Sequence, residues 1–507
     1  MEEGNKSWLH GVAILGVVLW LLLNLSTLHS YPYPSCDEAF FSEAAHSFLE
    51  SGKVAIRSHL DYGSFDQTVV AVGRIVIVSI AAAQGTFGVS LWSSRLPALL
   101  MGLLASYLVY VVGKTLYTKT TGIYAGLLFA FSWHTVYHSH FARPEIWLTA
   151  FATLTLLLAW RFSQTPNLQN GLFAGLVAAL NVDIHLSGLS FSVAATLIIL
   201  AWCFKNRQVK PMLYYMLGGF IGLLYWLAAH YLVNPQTFTY QLFEIYADQT
   251  VSGISFWQRF ADLGRLYWSE FVLRNHYLEV VPSTLLFAGL AYSIQDKRQP
   301  SRFLLSYFVI SSIVFAVITP VKRWYHMMLW VPMLTIMGAE FMNRLAAWLE
   351  RRVKAKYIQN KIRWILPLPV IVILLAGNIF LFIKFFNDDF GRYAERVIQA
   401  TADDASMLAP HQLWFYDPRD DFVASTAAIF LLAEEQKTEM TAVDAERLYR
   451  DADPDYVVLT PAWLCLDHKW EGFEVVERTI QAHCTVIRDA DYFEDTVQPD
   501  TVLYECP

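Results

Sequence analysis

The chain has 507 residues, of which 55% are apolar, 15% aromatic and only 16% charged, and its formal net charge is −7. Apolar runs close to the roughly 20 residues that a bilayer core demands recur along it, which marks a polytopic membrane protein and excludes a simple soluble globule. The acidic balance argues against a nucleic-acid partner.

The first apolar run, 9–28, follows a short polar start with Lys6 and no small-residue cleavage site follows it, so it reads as a retained span. Further spans are expected near 91–112, 122–139, 145–160, 171–185, 187–203, 211–232, 279–294, 302–319, 326–343 and 364–385, about 11 crossings in all. With the amino terminus inside, Lys114, Lys119, Arg161, Lys205, Arg207, Lys210, Lys297, Arg298, Arg302 and the basic run 351–363 all fall on the inner side, as the positive-inside rule requires. Segment 69–83 is short and interrupted by Arg74, and is expected to lie at the outer surface.

Just beyond the first span stands Ser35-Cys36-Asp37-Glu38. Ser35 with Glu38 is a capping box for a helix over 37–51, which has Phe40, Phe41, Ala44, Phe48 and Leu49 on one face and ends at Gly52. Asp37 is not needed by the box. Carboxylates beside a bilayer are costly unless paired or solvated, so Asp37 reads as a catalytic candidate, with Glu38 beside it. In HSHFARPEIWL, at the outer end of the third span, Pro144 and Glu145 suit a helix start, but Arg143 has no such reason to be there. Its fork of donors suits a phosphate. His134 and His138 have the i, i+4 spacing of a zinc pair, yet no thiolate joins them, and packing in an interfacial aromatic belt with Trp133, Tyr137 and Trp147 is the simpler reading.

His140 and His185 at outer span ends, with Arg57 and Asp61 in the first outer loop, are candidate substrate contacts. The aromatic-rich outer segment 234–279 reads either as a substrate groove or as interfacial helices. Lys322 and Arg323 sit on the side where positive charge is not expected, and with Tyr325 they read as ligands for an anionic headgroup. After Lys384 the composition changes: residues 386–507 carry 26 acidic and 9 basic side chains. Short β-like runs at 413–416, 456–460, 484–487 and 501–504 alternate with helical patterns such as 422–435, predicting a soluble α/β domain over 386–507 after a membrane domain over 1–385. Three of the five cysteines, Cys465, Cys484 and Cys506, lie there, where an oxidising compartment permits one disulfide of unspecified pairing.

Taken together, CDEAFFSEAAHSF, GVSLWSSRLPALLMGLL, ARPE and VKRWYHMMLWVP resemble the GT-C superfamily of lipid-dependent glycosyltransferases, in the branch holding the protein O-mannosyltransferases and the lipid A aminoarabinose transferase. The resemblance covers most of the membrane part. It implies a GT-C type α-helical polytopic fold, with Asp37 as general base, Arg143 and Glu145 as the site's Arg and acidic residue, and Lys322 and Tyr325 toward the donor phosphate. The expected activity is transfer of a sugar from a polyprenyl-phosphate donor to an acceptor hydroxyl, with inversion, on the outer face of the plasma (inner) membrane. No cofactor is required by that scheme, although paired carboxylates are compatible with a divalent metal. The rival reading is a transporter or flippase for a lipid-linked sugar, which predicts charges near mid-span and related halves.

Overall fold

The chain is described by a computed structural model, except at residues 1, 61, 70–72, 247–254, 274–279, 320–321, 354–361, 363–365, 385–388, 403–404, 419–420, 426–440, 461–472, 495, 497 and 499. Its first half is a run of helices: α1 (Glu2–Thr27), α2 (Cys36–Ser51), α3 (Arg74–Phe87), α4 (Leu91–Leu116), α5 (Lys119–Ala130), α6 (Trp133–Ser139), α7 (Glu145–Gln164), α8 (Leu168–Ile184), α9 (Leu189–Lys205) and α10 (Val209–Trp226). There follow α11 (Pro235–Tyr240), α12 (Phe256–Trp268), α13 (Val280–Gln295), α14 (Gln299–Ile318), α15 (Val331–Arg352) and α16 (Leu368–Lys384).

Polar caps decide where several of these helices begin. Ser35, Ser90, Thr118, Ser132 and Asn167 each accept a hydrogen bond from the amide three residues on, at the starts of α2, α4, α5, α6 and α8. Ser35 and Glu38 form the expected capping box, and Gly52 closes α2 in the left-handed conformation at φ 71°. Ser132 also explains a correction: the span expected over 122–139 is two helices, because its side chain caps α6 seven residues before that stretch would end. Likewise, the span expected from 326 starts only at α15, after a 3-10 turn over Trp324–Leu329 with a proline at the helix start.

Among the described residues, five helices are long and apolar enough to cross a bilayer: Leu91–Leu116, Glu145–Gln164, Leu186–Lys205, Val209–Tyr231 and Gln299–Ile318. The shorter apolar helices include Ile14–Thr27 and Leu168–Ile184, so the expected count of about 11 is not reached by this measure. On α10, Leu213, Leu217, Phe220 and Leu224 face outward, as lipid-facing residues do. Its opposite flank touches α8 so closely that a Cβ on Gly175 would collide with the Tyr215 carbonyl. Buried Glu340 of α15 binds Arg298 at 2.7 Å, Arg344 at 2.8 Å and Thr121 at 2.8 Å, tying α5, α14 and α15.

The tail comprises α17 (Asp389–Gln399), β1 (Met407–Ala409), β2 (Phe422–Ala424), α18 (Ala442–Ala452), β3 (Tyr456–Leu459), α19 (Phe473–His483), β4 (Thr485–Arg488), α20 (Ala490–Phe493) and β5 (Val502–Glu505). The strands form one sheet of order β2-β1-β3-β5-β4, parallel at β1/β2 and β1/β3 and antiparallel at β3/β5 and β4/β5. Three of the expected strands are found. The fourth, 413–416, is instead mostly a 3-10 helix over His411–Phe415, which starts after Pro410, and residues 422–424 of the expected helix are β2. Cys484 is bonded to Cys506, Cys203 is a buried thiol, and Cys36 is also disulfide-bonded. The apolar core around Phe390, Tyr393, Met407, Trp414 and Leu503 includes Ala39 of α2 and Leu91 of α4, so the sheet closes against α2 and the start of α4.

Candidate functional site

The site is assembled on a buried ion pair that spacing did not reveal. Arg95, in the second turn of α4, is fully buried and gives Nε to Glu38 Oε1 at 2.9 Å and Nη2 to Glu38 Oε2 at 2.7 Å. Its remaining donors reach the carbonyls of Leu28, Tyr31 and Pro32 at 3.1, 3.2 and 2.9 Å. Glu38 also accepts from the amides of Ser35 at 3.2 Å and Ala142 at 2.9 Å. One carboxylate thus fixes the residue before it, Asp37, relative to the segment that carries Arg143. Glu38 is sealed from solvent with both oxygens engaged by Arg95 and by the amides of Ser35 and Ala142.

Arg143 stands at the centre. Nη1 lies 3.1 Å from Asp37 Oδ2, Nη2 lies 2.9 Å from Glu145 Oε1, and the guanidinium covers the Tyr325 ring at 4.2 Å. Burial lowers the Arg143 pKa, but Glu145 and Asp37 outweigh it and the net shift is upward, so the group is permanently charged. Asp37 is 59% exposed while the Glu145 side chain is 6% exposed, so the two carboxylates on one cation differ in access. Arg143 Nε and Glu145 Oε2 are buried without a hydrogen-bond partner, which leaves polar capacity for a ligand. His185, whose Nδ1 is 2.7 Å from Ser187 Oγ, lies within electrostatic reach of Arg143 and Asp37.

Other candidates fall elsewhere. His140 is fully buried, with Nδ1 2.7 Å from the Val136 carbonyl and Nε2 3.1 Å from that of Asn24; it joins α6 to α1 and touches no open surface. Lys322 donates to the Thr319 carbonyl at 2.8 Å, closing the end of α14, and burial brings its pKa down to about 8. Arg323 begins the following 3-10 turn, its amide donating to His326 Nδ1 at 3.1 Å. Arg57 is 46% exposed and pairs with Glu50 at 3.3 Å. Asp61 lies outside the described residues. His134 and His138 are packed among Trp133, Tyr137 and Trp324, and among the described residues no group of three His, Cys, Asp or Glu side chains is placed to hold a metal. Beside His134 a small apolar cavity of about 20 Å³ is lined by Leu128, His134, Phe271, Leu286, Val331 and Leu374.

A second polar cluster joins α2 to the tail. Glu43 accepts from the Ser58 amide at 2.8 Å and its hydroxyl at 2.5 Å, and lies 2.8 Å from His411 Nε2. His59, beside His411 at 5.3 Å between ring centres, is 4% exposed with neither ring nitrogen hydrogen-bonded. Burial, helped by His411, holds its pKa down to about 3 against 6.5. The unfolded chain therefore takes up the extra proton as pH falls below 6.5, and stability drains away over that window down to about 3. Thermal melts between about pH 7 and pH 5 are expected to fall more steeply for wild type than for His59→Phe; parallel curves would refute this.

Residues 78–230 match the family described as dolichyl-phosphate-mannose-protein mannosyltransferase. The chain is 24% identical over 380 residues to an undecaprenyl phosphate-alpha-4-amino-4-deoxy-L-arabinose arabinosyl transferase of Pseudomonas fluorescens, covering 73% of this chain and 66% of that protein. The matched segments span less than two thirds of the length of the first curated relatives, 59% and 66%. Among solved structures, ArnT from Cupriavidus metallidurans bound to undecaprenyl phosphate superposes with a TM-score of 0.62 at 15% identity, over 98% of both chains. The oligosaccharyltransferase AglB from Archaeoglobus fulgidus gives a TM-score of 0.55 at 12% identity, over 90% of this chain and 70% of that one.

Proposed function

We propose that this chain, whose fold is that of the GT-C superfamily glycosyltransferases, moves a sugar from a polyprenyl-phosphate donor to an acceptor hydroxyl at the outer face of the plasma (inner) membrane. The observation that carries the reading is the exposed Asp37 carboxylate held 3.1 Å from a partly buried, doubly paired Arg143. A donor phosphate arriving at Arg143 competes for the guanidinium and frees Asp37 to take the proton of the acceptor hydroxyl. The acceptor oxygen bonds to the anomeric carbon as the bond from that carbon to the phosphate oxygen breaks, and polyprenyl phosphate leaves with the electron pair, stabilised by Arg143. One displacement inverts the anomeric configuration. Glu145 holds Arg143 from behind, and Tyr325 supplies the face on which it rests.

The outer placement draws support from the disulfide-bonded state of Cys36, beside Asp37, and of the tail cysteines, since such bonds persist in oxidising compartments. The tail, residues 386–507, is read as a separate soluble domain on the same side. The test is mass spectrometry of the protein in nanodiscs with defined polyprenyl-phosphate sugars and a pool of hydroxyl acceptors. Wild type should release polyprenyl phosphate with a mass-shifted acceptor, and Asp37→Asn should be slower by about 100-fold or more. Intact donors with every acceptor, despite tight donor binding, would replace transfer with transport of the lipid-linked sugar.

A further inference from the structure

We infer that the Glu43–His411 pair is a positioning contact, through which the tail sets the attitude of the helix that carries Asp37. The inference rests on Asp37 being the base.

Glu43 follows Asp37 by six residues on α2, about 9 Å along its axis. It is the point where the membrane part and the tail share a buried carboxylate: the side chains of His411 and Glu43 are 1% and 7% exposed and 2.8 Å apart. Ser58 supplies two more donors, and His411 Nε2 is also 3.3 Å from Ser58 Oγ. On the same flank, Ala39 is buried in the tail's apolar core and the His46 ring packs on Trp414 at 5.8 Å between centres. The bundle holds the start of α2 through Glu38 and Arg95 and its other flank through α3, where Gln84 Nε2 donates to the Ser42 carbonyl at 3.1 Å, so the tail contact fixes the one remaining flank.

A buried carboxylate needs its donors within a few tenths of an ångström and at favourable angles, whereas an apolar contact tolerates sliding. Glu43 does nothing for the chemistry, being sealed away from Asp37. Two of its three hydrogen bonds, from Ser58, hold the carboxylate in place, and the third, from His411, fixes the rotation and height of α2 against the tail. Asp37 is mostly exposed and tethered only by Arg143 among the described contacts, so its distance to an acceptor hydroxyl follows the helix. General-base catalysis is steeply sensitive to that distance, while Arg143 is held for the donor phosphate by Glu145 and the Tyr325 ring as well, neither of which lies on α2.

The test uses the full chain in nanodiscs with the donor that wild type turns over. His411→Ala is expected to lower kcat by roughly 10-fold or more with donor KM within about twofold. His411→Gln, whose amide still donates to Glu43, should recover most of kcat, and Glu43→Gln combined with His411→Ala should be no worse than His411→Ala alone. Unchanged kcat, a rise in donor KM that accounts for the loss, or a loss matched by the unfolded fraction and not recovered by glutamine would overturn the inference. Hydrogen exchange over 37–43 provides an arm independent of turnover: His411→Ala should exchange faster there than wild type, and equal protection refutes the contact's role. A wild type that transfers no sugar yet shows the exchange difference would fault the proposed activity and leave the positioning role standing.

Discussion

Arg143→Ala is expected to lower kcat/KM for sugar transfer by roughly 10²–10³-fold, the effect of removing a preorganised charge from a developing anion. Two losses combine. The leaving phosphate loses the guanidinium that would receive its charge, and Asp37 and Glu145 lose the cation between them. Glu145 is then a buried carboxylate with no counter-ion, which it relieves by taking up a proton or by turning away, and either change remakes the site. Arg143→Lys should recover little, because an ammonium cannot hold two carboxylates in a fixed fork while lying flat over Tyr325 at 4.2 Å. The check is steady-state kinetics with one defined donor. A lysine variant within about threefold of wild type would mean that charge alone matters and the fork does not.

Arg95→Met is expected to cost about 3–5 kcal/mol of stability, the usual consequence of leaving one member of a buried ion pair behind. Glu38 would be left without its cation, and the carbonyls of Leu28, Tyr31 and Pro32 would each lose a donor. Thermal unfolding in detergent, followed by size-exclusion recovery, measures it. Pairing the change with Glu38→Leu should restore part of the loss, since an apolar pair needs no counter-charge, yet the double variant should stay inactive. The Ala142 amide would then have no carboxylate to bind, and the segment carrying Arg143 would no longer be registered against Asp37. A double variant with full transfer activity would show that this registration is dispensable.

The parts of the site that the sequence exposes are those where charge contradicts its surroundings. Asp37, Arg143 and Glu145 stand out because each is ionisable at the end of an apolar run, and Tyr325 because it follows two misplaced cations; the fold brings these four together. Arg95 obeys the same logic, as a lone arginine one turn into an apolar helix, and reading it as such would have found Glu38's partner. His140 carries the same signal while joining two helices and Lys322 while closing a helix end, whereas Arg323 starts a turn with its amide and leaves its side chain exposed. Composition alone does not separate a cation that binds carbonyls from one that binds a ligand. The Glu43–His411 contact was beyond reach because 368 positions separate its partners, and no local period links them. The misread stretches have local causes: Ser132 interrupts an otherwise continuous apolar run, and Pro410 precedes a turn whose apolar residues mimic a strand.

Ala39 and Leu91 sit inside the apolar core of the sheet that forms some 300 residues later, and this makes the tail a poor cassette. A version lifted out at residue 389 would carry a hole where two foreign side chains belong. A graft from a related chain would have to match both. A change at either helix position is thereby also a change to the floor of the sheet, so the two parts of the chain have to be exchanged as a single piece.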